Sequence, residues 1–448
     1  MIESLTRFRF REAYIGKVII INLLFALWYI TGNSAFNLLF LFVLGVFVIV
    51  NTSLGDFYLF SGMIPFLKLV TYQGVTVLFI FQFVAILKLI YEKKRITTTA
   101  IALLASVSVL YTEFVFDFSY LSIGEFLYTI CNFLYFICFL NCFEIKKIEV
   151  KKLLSVIVIT SSICLLLVAV VANKNGMSLA SYANATENYI RLGSETTNLI
   201  GAMGIPTYAG IVLSCVYVLF VKYKLSFLEM LFCAVVSAYS VVLGLLSVSR
   251  GFIVCLGVLA ALIIANILFS KERKKSAIIV LIMMTIMLII YYKNSDIVTN
   301  VILKLQSRMN GVNVSANDDR SSIWKDCVFY LGNHPTALLF GRGVNNYVGL
   351  GAEEGYRFSM SAHNLLLDGL MAWGIIGFGS LILAIISFFK RRVMVQTQKV
   401  DFTYIIPFCV WFALRMIGGA FTSFAMYIMI LCFVIIAGAN ENIKDDVL

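Results

Sequence analysis

Arginines and histidines are the residues in this sequence that could do chemistry. Arg191 lies in a polar interval at 173–205. Arg308, Arg320, Arg342 and Arg357 lie in a longer one at 293–361, which holds His334 and ends just before His363; these two are the only histidines in 448 residues. Arg250 stands between two apolar runs, after Ser247-Val248-Ser249 and before Gly251. A guanidinium offers a planar fork of donors that matches carboxylate or phosphate oxygens. A neutral imidazole can take a proton from a hydroxyl near neutral pH. Together they suit a site that binds an anion beside a base. The arginines would bind the anion, and His363 would be available as the base. No P-loop, Gly-rich dinucleotide motif or HExxH zinc motif occurs. We expect neither a metal nor a cofactor.

The elements that must hold these residues are membrane helices. The chain is 61% hydrophobic and 13% charged, against about 45–50% and about 25% in soluble domains. Its mean hydropathy is +0.95. Repeated apolar runs are long enough to cross a hydrocarbon layer of about 30 Å, and alternating strands for a β-barrel are lacking. The expectation is an all-α polytopic membrane protein with one integral domain over 1–448. Spans fall near 18–31, 35–51, 57–70, 72–91, 97–116, 120–142, 153–172, 206–221, 226–248, 251–269, 276–292, 362–389, 403–420 and 422–438. The 57–70 stretch contains Pro65 and Lys68, which also admits a re-entrant segment.

Charge orients the bundle. With the N-terminus inside, Glu92 to Arg95, Lys146 to Lys152, Lys222 to Lys224, Lys271 to Lys275 and Lys390 to Arg392 all fall on the cytoplasmic side. The positive-inside rule therefore accounts for most of the net charge of +11, and no nucleic-acid partner is expected. The intervals 173–205 and 293–361 then become extracytoplasmic loops. Arginines are disfavoured there, so their number points to a bound anion. Arg250 and His363 fall at outer N-termini of inward-running helices, where free N–H groups favour anions and keep an imidazole neutral. Ser359 or Ser361 would cap the His363 helix. Arg415, inside an apolar run, would pair with Asp368 or reach the anion. The spans are otherwise expected to be mostly clean, with charge gathered at the outer face. Most of the ten cysteines sit in apolar runs without a CxxC pair and read as packing residues.

The order of these motifs is informative. Arg191-x-Gly193 with Asn198, Ser249-Arg250-Gly251, Asp319-Arg320 with Trp324, Gly341-Arg342-Gly343, and His363-Asn364-x-x-Leu367-x-x-Leu370-x-x-x-Gly374-x-x-Gly377 resemble the O-antigen polymerase and O-antigen ligase superfamily over roughly 185–380. The resemblance implies a GT-C-type glycosyltransferase bundle of about 12–14 helices in the bacterial inner membrane, with its site on the periplasmic face. It implies a metal-independent, inverting transfer of glycan from undecaprenyl diphosphate. Arg191, Arg250, Arg320 and Arg342 would hold the diphosphate, His363 would take the acceptor proton, and Asn364 would support the helix start. Donor and acceptor would both be lipid-linked oligosaccharides, with membrane lipid, a chain-length regulator and a flippase as companions. The spacings after Arg191 and Arg320 depart from the paired arginine-to-glycine spacings of some polymerases. The favoured function is polymerisation of repeat units of a surface polysaccharide, O-antigen or capsule. The alternatives are ligation to lipid A-core and, from another class, a polysaccharide flippase or transporter.

Overall fold

The computed structural model describes residues 2–72, 75–93, 100–117, 149–184, 204–269, 295–309, 320–343, 346–356, 364–388 and scattered positions between them. The chain is an all-α polytopic membrane protein. Five described helices are long and apolar enough to span a membrane: Tyr14–Thr31, Val150–Lys174, Gly204–Lys222, Phe227–Leu246 and Leu365–Ser387. Four shorter apolar helices accompany them, at Ser34–Val50, Leu78–Tyr91, Leu103–Phe116 and Arg250–Ala265. The expected spans near 120–142, 276–292, 403–420 and 422–438 lie wholly or largely outside the described residues.

The first helices run as α1 (Ile2–Thr31), α2 (Ser34–Val50) and α3 (Ser53–Leu69), then α4 (Leu78–Lys93) and α5 (Ala100–Thr112). The re-entrant reading of 57–70 is not what forms: α3 is one continuous helix. The helix expected from residue 72 starts later, after a small hairpin pairing Thr71 with Thr76 and Tyr72 with Val75. The apolar faces follow helical spacing. In α2, Phe40, Leu44, Phe47 and Val48 are buried, while Leu38, Phe42 and Ile49 face outward. Outward apolar side chains are what a lipid solvent favours.

The centre of the bundle is built from α6 (Val150–Lys174), α8 (Gly204–Lys222), α9 (Phe227–Leu246) and α10 (Arg250–Phe269), with the short α7 (Leu179–Asn184) between α6 and α8. Helix α8 is buried along nearly its whole length and packs on α6, α9 and α10. A helix apolar on every side is suited to that central place. Ser226 and Glu229 close a capping box at the start of α9. Gly244 of α9 lies under the Phe252 ring of α10, and a Cβ there would come within 2.2 Å of that ring.

The two ends of the bundle sort as the charge pattern expects. At one end, Lys151 bonds the Lys224 carbonyl at 3.3 Å and pairs with Glu229 at 3.5 Å. Lys152 sits 4.4 Å from the Tyr14 ring centre, and Tyr14 Oη donates to the Gly55 carbonyl. At the other end, Lys174 reaches the Ile30 carbonyl, and Leu192 N–H donates to the Leu246 carbonyl at 3.3 Å. The basic segments around Lys152 and Lys224 thus share one end.

Two expectations need correction. The 293–361 interval is largely helical, with α11 (Ser295–Met309), α12 (Arg320–Asn333), α13 (Pro335–Phe340) and α14 (Asn346–Glu353). Average polarity hides the stripe that folds it: Ile323, Cys327, Tyr330 and Leu331 of α12 are all buried, at helical spacing. The apolar helices are also not clean. Asp56, Glu113 and Asp368 are buried within them. They are tolerated because each meets a donor from elsewhere. Lys88 contacts Asp56 at 2.7 Å and also reaches the Val48 and Asn51 carbonyls.

Candidate active site

The residues expected to form the site are carried by three pieces of backbone. The first is the corner between α9 and α10. Ser247 Oγ donates to the Gly244 carbonyl at 2.6 Å, and Val248 N–H to Leu245 at 2.9 Å. Val248 has φ of 51°, the only positive value of a non-glycine among the described residues. A β-branched residue in that region is a true outlier and marks a corner held by its surroundings. Two residues later Arg250 starts α10, and it is exposed. Leu192, whose N–H is bound to Leu246, is the sequence neighbour of Arg191. The corner therefore brings the flank of one predicted anion ligand to the base of another. Arg191 itself lies outside the described residues.

The second piece is the approach to α15 (Leu365–Gly374). Asn364 caps this helix through its side-chain oxygen, which accepts from Leu366 N–H at 3.0 Å and Leu367 N–H at 3.4 Å. The cap expected at Ser359 or Ser361 is thus supplied by Asn364, because an Asn side chain can bridge the first free N–H groups directly. Ala362 is bound on both sides. Its N–H donates to Asp368 Oδ1 at 2.8 Å, and its carbonyl accepts from Trp324 Nε1 at 2.8 Å. Asp368 Oδ1 also accepts from Tyr347 Oη at 2.6 Å. The partner expected for Asp368 was Arg415, which lies outside the described residues; those seen here are Tyr347 and Ala362. His363, between Ala362 and Asn364, lies outside the described residues as well. Arg320 is the first residue of α12, one turn before Trp324; its side chain is not described. Arg308 falls in α11, again without a described side chain, and Arg357 is outside.

The third piece is a break in the long apolar helix. After Gly374 (φ 63°) the chain makes a π-helical turn, Ile375–Gly379, before α16 (Ser380–Phe388). The carbonyls of Met371 and Ala372 accept from Arg342 N–H and Gly343 N–H, both at 2.8 Å. The crossing is close. A Cβ on Gly341 (φ 81°) would lie 2.2 Å from the Ala372 oxygen, and one on Gly374 would lie 2.4 Å from the Leu339 oxygen. Side chains brace the same level: Trp373 Nε1 donates to Glu113 at 2.6 Å, and Thr112 Oγ1 donates to the Phe340 carbonyl at 3.0 Å. The Arg342 guanidinium lies 5.5 Å from the Phe116 ring centre, and its Nε is buried without a hydrogen-bond partner. Met371 is seven residues beyond Asn364, so Arg342 crosses α15 about 10 Å along the helix from the cap.

Electrostatics favour neutral groups around the cap. Burial raises the Tyr347 hydroxyl pKa well above its usual value, and the Asp368 carboxylate adds to this. Burial pushes the Cys327 thiol up to about 12, with Asp368 and Asp326 contributing. His334, expected to be a loop residue, precedes Pro335 at the start of α13 and stacks on Tyr330 at 4.3 Å. Among the described residues no three His, Cys, Asp or Glu side chains gather as a metal site would require.

Residues 234–382 match the family described as O-antigen ligase. That stretch runs from α9 to the helix after the break. It holds Arg250, Arg320, Trp324, Arg342, His363, Asn364 and Asp368, and it is this stretch, about a third of the chain, that is similar to the family. A comparison with curated proteins found no match.

Proposed function

We propose that this protein polymerises repeat units of a surface polysaccharide, transferring glycan from undecaprenyl diphosphate to a hydroxyl of another lipid-linked unit. The site lies at the periplasmic end of the bundle, in the inner membrane. The observation that supports the reading is that Trp324, one turn after Arg320, and the capped start of α15 are bound together on either side of His363's neighbours, inside the stretch similar to the O-antigen ligase family. The Arg250 corner carries a second tie, from Leu192, the neighbour of Arg191, to Leu246. Arg191, Arg250 and Arg320 bind the diphosphate and offset the charge that grows as it leaves. Arg342, with its Nε unbonded, adds a further guanidinium for the diphosphate. His363 takes the proton of the attacking hydroxyl, and Asn364 fixes the helix start behind it. No cofactor enters, and attack opposite the leaving group inverts the anomeric carbon.

A second reading is transfer of finished glycan to a lipid acceptor, favoured by the description of the matched family. The two separate by what cells lacking the gene accumulate. Single repeat units on the carrier mean a polymerase. Full-length chains on the carrier mean a ligase. Units retained on the cytoplasmic side would contradict both and indicate a flippase.

A further inference from the structure

We propose that Asp368 and Trp324 are positioning residues that clamp Ala362, the residue before His363, from both sides; this rests on the reading of His363 as the base. Each contact is direct. The carboxylate takes the N–H of Ala362, and the indole takes its carbonyl, each at 2.8 Å. On the far side, Asn364 is fixed by its bonds to Leu366 and Leu367, and its carbonyl accepts from Asp368 N–H at 2.8 Å. Asp368 thus closes a ring from 362 to 368 by both its backbone and its side chain.

The two clamps have different reach. Tyr347 donates to the same carboxylate oxygen as Ala362, and with its hydroxyl pKa raised it remains a donor throughout the working pH range. Asp368 is fully buried, a costly place for an acid unless it holds other groups in place. Trp324 stands one turn after Arg320 on α12. Rotation or sliding of α12 would therefore move the anion-binding end and the base-bearing segment together. An error of about 1 Å between a base and its hydroxyl can lower the rate by about 10²-fold.

The test uses the full-length protein in detergent or nanodiscs, with lipid-linked repeat units extracted from cells lacking the gene. Asp368→Leu should lower kcat by about 10²-fold while the KM for the lipid-linked donor stays within about threefold. Asp368→Asn, which keeps an acceptor oxygen, should recover activity to within about tenfold of wild type. Trp324→Phe deletes only the N–H donor. It should lower kcat by about tenfold and leave the acidic limb of the pH profile in place. If Asp368→Asn is as inactive as Asp368→Leu, the carboxylate does chemistry itself and the clamp is wrong. If Trp324→Phe keeps wild-type kcat, the clamp is also wrong; this variant decides the matter should Asp368→Leu fail to insert. His363→Gln, assayed beside them, separates the two claims. An active His363→Gln removes the base assignment, whereas an inactive one with unimpaired clamp variants removes only the clamp.

Discussion

Ala362 and Arg250 show how single residues become placed. Arg250 was legible in the sequence: a charge at the edge of an apolar run, after a short Ser-Val-Ser turn, has few inexpensive roles. The structure leaves it exposed at the first turn of α10. An anchor needs only charge, but a bidentate phosphate ligand needs the guanidinium fork. We therefore expect Arg250→Lys to lose activity by about 10²-fold, close to the loss in Arg250→Ala. Comparing initial rates of the two purified variants checks this, and full activity in both would reduce Arg250 to an interfacial anchor. The clamp on Ala362 was not legible. In the sequence Asp368 drew notice only as a partner for Arg415. Its partners are six and twenty-one residues away, at no periodic spacing, and the long-range candidate Arg415 drew the inference elsewhere.

Helices were read well where one apolar face repeats, as in α2 and α9, and less well where a chain crossing alters them. The run 362–389 has the length and composition of one span, and Gly374 and Gly377 were recognised only as part of a motif. The break comes from outside the helix. Arg342 and Gly343 donate N–H groups to the Met371 and Ala372 carbonyls, which satisfies backbone groups that would otherwise be stranded in a membrane. Gly341 and Gly374 are required by contact as well as by φ. Gly341→Ala should lower stability by more than about 2 kcal/mol, because a methyl group must displace backbone rather than a mobile side chain. A thermal melt in detergent checks this. An unchanged melting midpoint would mean that the crossing is looser than the distances indicate. The helices of the 293–361 interval were missed for a simpler reason: a short amphipathic helix at a water-facing end averages to a polar composition.

At the scale of the molecule, the alternation of basic segments predicts that the segments around Lys151 and Lys224 share an end. The Lys151–Glu229 contact and the Lys151–Lys224 bond bear that out. Composition is blind to how the ends are tied together. Lys304 of α11 is buried and donates to the Tyr182 carbonyl of α7, and Asn300 bonds Asn184. The two polar intervals are thus fastened to each other. Assigning that end to the periplasm predicts the reactivity of single cysteines in a cysteine-free background. A cysteine replacing the exposed Asn175 should react with an impermeant thiol reagent in cells whose outer membrane alone is permeabilised. One replacing Lys224, at the opposite end, should react only after lysis of the inner membrane. The reverse pattern would turn the molecule over and place the arginines in the cytoplasm.

The central claim is that His363 is the base in a metal-free glycosyl transfer. Its most direct measurement is turnover of purified wild type, His363→Ala and His363→Gln on lipid-linked repeat units, with chelator present throughout. The wild type should elongate chains in chelator. His363→Ala and His363→Gln should each be slower by about 10²–10⁴-fold, with donor binding retained. Robust chain growth by His363→Gln would contradict the base assignment. Loss of wild-type activity on chelation would contradict a metal-free mechanism.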